Sequence, residues 1–115
     1  EGYPAGESKH GPIALIEEGF PVVMPILKDE TYERMHIAAE EMKSRGGYII
    51  SVAEESDELT KNLSDFTFKV PDGYSNILAP LVYIIPMQLL AYYTAIKRGF
   101  DPDKPRNLAK SVTVE

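Results

Sequence analysis

The chain has 115 residues, no cysteine and a formal net charge of −6. Its length fits a single domain, and its 43% apolar and 26% charged residues are typical of a globular protein. The acidic balance argues against a nucleic-acid partner, because such a partner needs a basic face. The missing cysteines exclude disulfides, thiolate metal sites and a cysteine nucleophile, and they fit a cytoplasmic location.

The sequence contains few of the residues that usually bind zinc ions. The two histidines are His10 and His36, and no HExxH-type spacing occurs, so a zinc site would have to rely on carboxylates. The first residues lack the basic-then-apolar order of a signal peptide. They are Glu-Gly-Tyr-Pro and not an initiator Met, so we expect the chain to be a piece of a longer protein.

A short helix and a buried strand are predicted for the first quarter of the chain. Gly11 can supply the N-cap and Pro12 the first position of a helix over residues 12–17. The apolar run over residues 22–27 suits a strand that is covered on both faces in a parallel sheet. Pro25 lies near the end of that strand, where the missing N–H is tolerated.

An amphipathic helix is predicted next, capped by Asp29 and extending to Arg45. His36 lies inside it and is interpreted as an ordinary surface or edge residue. Residues 48–53 form the next predicted strand, and a polar, acidic connection with one helical turn follows. Alternating residues over 66–70 then predict a third strand.

A long segment without charge covers residues 77–96. Its length could cross a membrane, but it contains two prolines, a glutamine and three tyrosines. We interpret it as part of a helix over residues 77–98 that is buried on nearly all sides, in a core or at a subunit contact. We therefore expect no membrane partner.

The order strand, helix, strand, loop, strand, helix predicts an α/β fold with a mostly parallel sheet and right-handed crossovers. A sheet of only three parallel strands leaves long edges exposed. This small number of strands indicates that part of the domain is missing from the chain.

The motif Lys-His-Gly-Pro, which holds Lys9 and His10, is the first candidate for chemistry. A helix starting at Pro12 would turn its positive end toward His10, and the adjacent Lys9 adds positive charge, so both favour a neutral imidazole. A neutral imidazole can remove a proton from a hydroxyl as a general base. The alternative is a histidine that only caps the loop by hydrogen bonding.

Lys110 is the second candidate, in the tail "PRNLAKSVTVE". Its proline makes the tail stiffer than a Gly/Ser linker, so Lys110 could donate repeatedly to an oxygen-rich substrate or a developing anion. The alternative is a solvated lysine near a frayed terminus. The turns after the first two strands carry carboxylates that would repel phosphate, so a substrate phosphate would be held by residues outside this chain.

Two stretches carry a family resemblance: "AGESKHGPIALIEEGFPVV" and "LLAYYTAIKRGFDPDKPRNLAKSVTVE". They resemble the C-terminal end of the glucosamine-6-phosphate synthase family, over the whole length of the chain. The resemblance implies a partial three-layer α/β/α fold of the sugar isomerase (SIS) type. Residues 1–98 would be the second SIS subdomain, truncated at its N-terminal end, and residues 99–115 an ordered tail that closes the active site.

The resemblance also implies a function. The family joins a glutaminase domain to two SIS subdomains and converts fructose 6-phosphate and glutamine to glucosamine 6-phosphate and glutamate, without a cofactor. His10 matches a histidine that helps open the sugar ring in the neighbouring subunit of a homodimer. Lys110 matches a tail lysine that touches the sugar, with Ala109 contributing backbone, and Lys9 matches a family lysine to which we assign no role.

Several parts of that family are absent from the sequence, among them the phosphate loop and the glutaminase cysteine. The resemblance therefore implies that the sugar phosphate site is shared with a missing SIS subdomain and that the chain alone is inactive. One alternative is a non-catalytic SIS module that binds a sugar phosphate to regulate a partner. Another is a standalone SIS isomerase or deglycase, which would need its own phosphate loop. The specific tail favours the synthase.

Overall fold

A computed structural model describes residues 2–104 of the chain. The three strands pair in parallel in the order β1-β2-β3, so the predicted α/β fold with a parallel sheet is confirmed. The elements in chain order are a first 3₁₀-helix (Ala5–His10), a second 3₁₀-helix (Pro12–Leu15), β1 (Pro21–Pro25), α1 (Tyr32–Lys43), β2 (Tyr48–Glu54), α2 (Glu58–Leu63), β3 (Phe66–Val70) and α3 (Ala79–Lys97).

The strands lie close to their predicted positions. β3 has the predicted bounds, whereas β1 begins and ends earlier than the predicted run of residues 22–27. The N–H of Ile26, just beyond β1, donates to the carbonyl of Val52 at 2.9 Å. Because successive N–H groups of a strand point to opposite sides, the nitrogen of Pro25 faces away from β2. The missing donor of Pro25 therefore costs no hydrogen bond to β2, as expected for proline on an edge strand.

The core lies between one face of the sheet and α1. Its buried members are Met24, Ile26, Ala38, Ala39, Met42 and Ile49. Side chains alternate between the two faces of a strand, so Ile49 and Val52 of β2 point to opposite faces. Both are 0% exposed, which means that both faces of β2 are covered. This is the arrangement that a sheet in the middle layer of a three-layer fold requires.

A buried hydrogen-bonded network joins α1 to the start of α2. Tyr32 Oη donates to Asp57 Oδ1 at 2.7 Å, and the Thr60 hydroxyl donates to Asp57 Oδ2 at 2.7 Å. His36 Nε2 lies 2.9 Å from Thr60 Oγ1. His36 is only 9% exposed, so the interpretation of this residue as a surface or edge residue is wrong. Hydrogen bonds to both ring nitrogens allow the polar ring to be buried.

The chain forms two compact units, of which the first ends at Tyr83 and the second begins at Ile84. In the first unit, Tyr83 is buried and its hydroxyl donates to the carbonyl of Ile26 at 3.1 Å. In the second unit, large apolar residues of α3 are exposed, for example Ile85 at 55% and Tyr93 at 63%.

In this chain by itself the last helix is not buried on nearly all sides, and its burial at a subunit contact stays a prediction. Only 11% of the most apolar window of α3 is buried. The buried positions of α3 are Ala79 and Tyr83. A helix that is apolar all round needs cover on every side, and the described residues supply that cover near its N-terminal end. By length and composition alone α3 could also cross a membrane, which is weak evidence for a span.

Asp57 makes the stability of the fold sensitive to acid. Burial acts to raise the pKa of Asp57, but hydrogen bonds from Tyr32 and Thr60 outweigh it and hold that pKa below its usual value. A carboxylate with a lowered pKa stabilises the fold above its unfolded-state pKa, which is about 3.9. That contribution is lost as the pH falls through the folded-state value.

We expect Asp57→Asn to lower the free energy of unfolding by about 1–3 kcal/mol near neutral pH, because charge-assisted hydrogen bonds are weakened. The loss of stability between about pH 6 and about pH 3 should be smaller in this variant than in the unchanged chain. Urea unfolding followed by circular dichroism measures both quantities. Asp103→Asn, at an exposed position, is the matched control. An unchanged acid response in Asp57→Asn would contradict the prediction.

Candidate functional site

Two consecutive 3₁₀-helices carry the Lys-His-Gly-Pro motif. The first ends at His10, the second begins at Pro12, and Gly11 joins them. Gly11 has φ +153° and ψ −56°, a conformation that residues with a side chain rarely adopt. A Cβ at Gly11 would meet no atom within 4 Å. The backbone conformation, and not a lack of space, therefore requires glycine next to His10.

The first 3₁₀-helix is anchored to the body of the first unit. Ser8 is 2% exposed and its hydroxyl donates to the carbonyl of Ala5 at 2.7 Å. Ala5 packs against the core between the sheet and α1. Lys9 Nζ lies 2.8 Å from Glu41 Oε1 on α1. The segment that ends at His10 is thus held by an apolar contact and an ion pair.

His10 itself is exposed. Its side chain forms no hydrogen bond or ion pair with any residue between 2 and 104. Its two ring nitrogens are therefore available to a hydroxyl group of a bound molecule. In the described part of the chain, the His10 side chain makes no hydrogen bond that would cap the loop.

The helix predicted for residues 12–17 has a different type and length in the structure. It is a 3₁₀-helix of four residues, Pro12–Leu15. So short an element aligns few peptide dipoles, and therefore it exerts little of the predicted helix field on His10. What the structure does provide at His10 is exposure on an anchored segment.

The other predicted site residues, Ala109 and Lys110, lie outside the described residues. Their roles toward a sugar, and the closing of a site by the tail, stay predictions. Of the predicted set, His10 lies within the described residues.

The carboxyl edge of the sheet is acidic, as the sequence indicates. Lys28 Nζ lies 3.2 Å from Glu54 Oε2 and donates to Ser56 Oγ at 3.0 Å. Ser56 donates to Asp72 through its hydroxyl and its N–H, and these hydrogen bonds hold the pKa of Asp72 below its usual value. The charge of Lys28 is thus paired with the carboxylate of Glu54. Within residues 2–104 we find no phosphate cradle at this edge and no group of three metal-ligating side chains.

A family model described as "SIS domain" matches residues 1–98. The chain belongs to the SIS domain family. This SIS domain is also similar in structure to the C-terminal domain of glucosamine-fructose-6-phosphate aminotransferase from Francisella tularensis. The TM-score is 0.77 and the sequence identity 33%, and the match covers 89% of this chain and 29% of that one.

Curated relatives of this SIS domain carry the name glutamine–fructose-6-phosphate aminotransferase (isomerizing). The relative from Pyrobaculum aerophilum is 52% identical over 115 residues, and the one from Methanosarcina acetivorans is 53% identical over 116 residues. All of this chain is covered, but only 19% and 18% of the relatives. The SIS domain therefore spans about a fifth of their length. The predicted resemblance to the C-terminal part of this aminotransferase is confirmed.

Sequence reasoning missed Glu41, the partner of Lys9. Glu40 and Glu41 are adjacent acidic residues near the end of α1, and nothing in their spacing distinguishes them. In the structure Glu40 is exposed, whereas Glu41 pairs with Lys9. The rotation of α1 about its axis and the position of the first 3₁₀-helix select Glu41.

The requirement for glycine at position 11 can be tested by substitution of Gly11. We expect Gly11→Ala to lower the free energy of unfolding by about 1–3 kcal/mol, because alanine is strained at this backbone conformation. Gly6→Ala is the matched control, because Gly6 has open space around it and no positive φ. The control should change stability by less than about 0.5 kcal/mol. Urea unfolding of both variants gives the comparison, and equal effects would contradict the assignment of strain to Gly11.

Proposed function

We propose that this SIS domain is the second SIS subdomain of an enzyme, glutamine–fructose-6-phosphate aminotransferase (isomerising). That enzyme converts fructose 6-phosphate and glutamine to glucosamine 6-phosphate and glutamate. The observation that carries the proposal is the identity of 52% over the whole chain to a relative of that name. The exposed His10 on its anchored segment supports it, because the reaction needs a proton-transfer group at the sugar.

His10 acts in the opening of the sugar ring. The imidazole removes the proton of the anomeric hydroxyl, and a carbonyl forms at the anomeric carbon as its bond to the ring oxygen breaks. The ring oxygen then receives that proton from the imidazolium. A group of this kind has to reach the sugar from the surface of the chain that carries it. The exposure of His10 and its lack of partners among residues 2–104 fit this requirement.

Other parts of the site come from outside the described residues. Lys110 contacts the sugar and Ala109 contributes backbone. The phosphate is bound by another SIS subdomain of the longer protein, since the carboxyl edge of this sheet carries paired carboxylates. A glutaminase domain of that protein supplies ammonia. The enzyme is a cytoplasmic homodimer in which His10 serves the neighbouring subunit, and no cofactor takes part.

Substitution of His10 in the full-length aminotransferase tests the proposal. We expect His10→Asn to lower kcat with fructose 6-phosphate by about 10²–10⁴-fold, the usual contribution of general acid–base catalysis, with a much smaller change in sugar binding. Glutamine hydrolysis measured without sugar should change little. Glu7→Gln, at an exposed position of the same 3₁₀-helix, is the control. Undiminished sugar turnover in His10→Asn would refute the role.

The chain on its own should be inactive and self-associated. We expect binding of fructose 6-phosphate no tighter than millimolar, about −4 kcal/mol, because the carboxyl edge of the described sheet carries paired carboxylates that repel a phosphate. Exposed apolar residues of α3 and the free edges of the sheet favour a dimer or a larger assembly. Calorimetric titration and light scattering measure the two properties. Micromolar binding by a monomer would place a phosphate site within the chain and refute the proposal.

A further inference from the structure

We propose that Glu41 is a positioning residue for His10 and acts through Lys9. The proposal rests on the proposed function, in which His10 transfers protons at the sugar. It adds a residue on α1 that never touches the substrate and yet sets the rate of the sugar reaction. It also assigns a role to Lys9, whose ion pair with Glu41 fixes the position of His10 relative to α1.

The geometry at the end of α1 is the first observation. Lys9, the residue before His10, is held by Glu41 across a distance of 2.8 Å between Nζ and Oε1. Beside this ion pair lies a cavity of about 270 Å³. It is lined by Lys9 and Ile13 from the two 3₁₀-helices, by Glu41 of α1, and by Ser44 and Arg45, which follow α1. The two segments that flank His10 thus both lie against the same end of α1.

The second observation concerns the other carboxylate oxygen of Glu41. Glu41 Oε2 is buried and has no hydrogen-bond partner among the described residues. A buried carboxylate oxygen without a partner disfavours the folded state. The ion pair itself returns little stability, because the side chains of Lys9 and Glu41 are 54% and 34% exposed and exposed pairs contribute about 0–1 kcal/mol. Stability alone therefore does not account for a carboxylate at this position.

Positioning does account for it. A 3₁₀-helix has weaker hydrogen-bond geometry than an α-helix, so the segment that ends at His10 depends on its anchors. Ser8 and Ala5 hold the start of the segment, and the Lys9–Glu41 pair holds the residue next to His10. Without that pair the segment stays attached but His10 samples a wider range of positions. A displacement of about 1 Å can cost about 10²-fold in rate, so a partial loss of order should cost about 10-fold.

A double-mutant cycle in the full-length aminotransferase tests the inference. The variants are Glu41→Gln, which keeps the shape and removes the charge, Lys9→Met, which keeps the aliphatic stem, and the combination of both. Glu40→Gln, at the exposed neighbouring position on α1, is the matched control. Each variant is measured for kcat and KM with fructose 6-phosphate, for glutamine hydrolysis without sugar, and for thermal stability.

We expect Glu41→Gln to lower kcat about 10-fold while KM changes less than about twofold, with glutamine hydrolysis and thermal stability nearly unchanged. In the Lys9→Met background the same substitution should cause no further loss, because its effect passes through Lys9. Glu40→Gln should behave like the unchanged enzyme. An unchanged kcat in Glu41→Gln overturns the inference. So does an undiminished further loss in the Lys9→Met background, or an equal decline of glutamine hydrolysis and thermal stability.

His10→Asn, measured in the same series, separates this inference from the proposed function. If His10→Asn leaves sugar turnover intact, the proposed function fails whatever Glu41 does. If His10→Asn slows sugar turnover and Glu41→Gln does not, the inference about Glu41 alone fails.

Discussion

The packing of α1 against the parallel sheet is the constraint on which the rest of the first unit depends. Ile26 and Ile49 are 0% exposed and meet Ala38, Ala39 and Met42 of the helix in one core. Full burial of an aliphatic side chain contributes about 1.5–3 kcal/mol, so this core fixes both the distance and the rotation of α1. The rotation in turn decides that His36 faces α2 and that Glu41 faces the first 3₁₀-helix.

Two polar connections extend from α1, and they differ in physical character. The connection to α2 runs through Asp57 and Thr60, which are 3% and 0% exposed, with every contact between 2.7 and 3.1 Å. Water cannot compete there, so this network contributes to stability. The connection to the segment of His10 is the half-exposed pair of Lys9 and Glu41, which is screened by water and contributes little stability. In the inference above, the Lys9–Glu41 pair orients the 3₁₀-helix that ends at His10.

α3 has a large apolar surface that this chain by itself leaves exposed. It carries no charge between Ala79 and Ile96, and most of its large apolar side chains are nevertheless exposed. A stable soluble protein covers such a surface, since an apolar patch of this kind favours association. The SIS domain spans about a fifth of the length of its aminotransferase relatives. The exposure of α3 is therefore a property of this chain by itself.

The sequence by itself determined the strands and the parallel α/β fold. These depend on local signals, namely an apolar run and an alternating pattern. The acidic carboxyl edge was also predictable, because the ends of parallel strands meet at one edge and the turns after the first two strands carry carboxylates. The family resemblance was also visible in two short stretches, residues 5–23 and 89–115.

Only the tertiary structure decided the burial of His36, the pairing of Lys9 with Glu41 and the exposure of α3. A histidine in an amphipathic helix has the same sequence signature at the surface and in a satisfied core, and Thr60, which makes the difference, lies in another element. Glu40 and Glu41 differ only in helical phase. Their helical phase decides which of them faces Lys9 only when packing against the sheet fixes the rotation of α1. That rotation is a property of the folded chain as a whole.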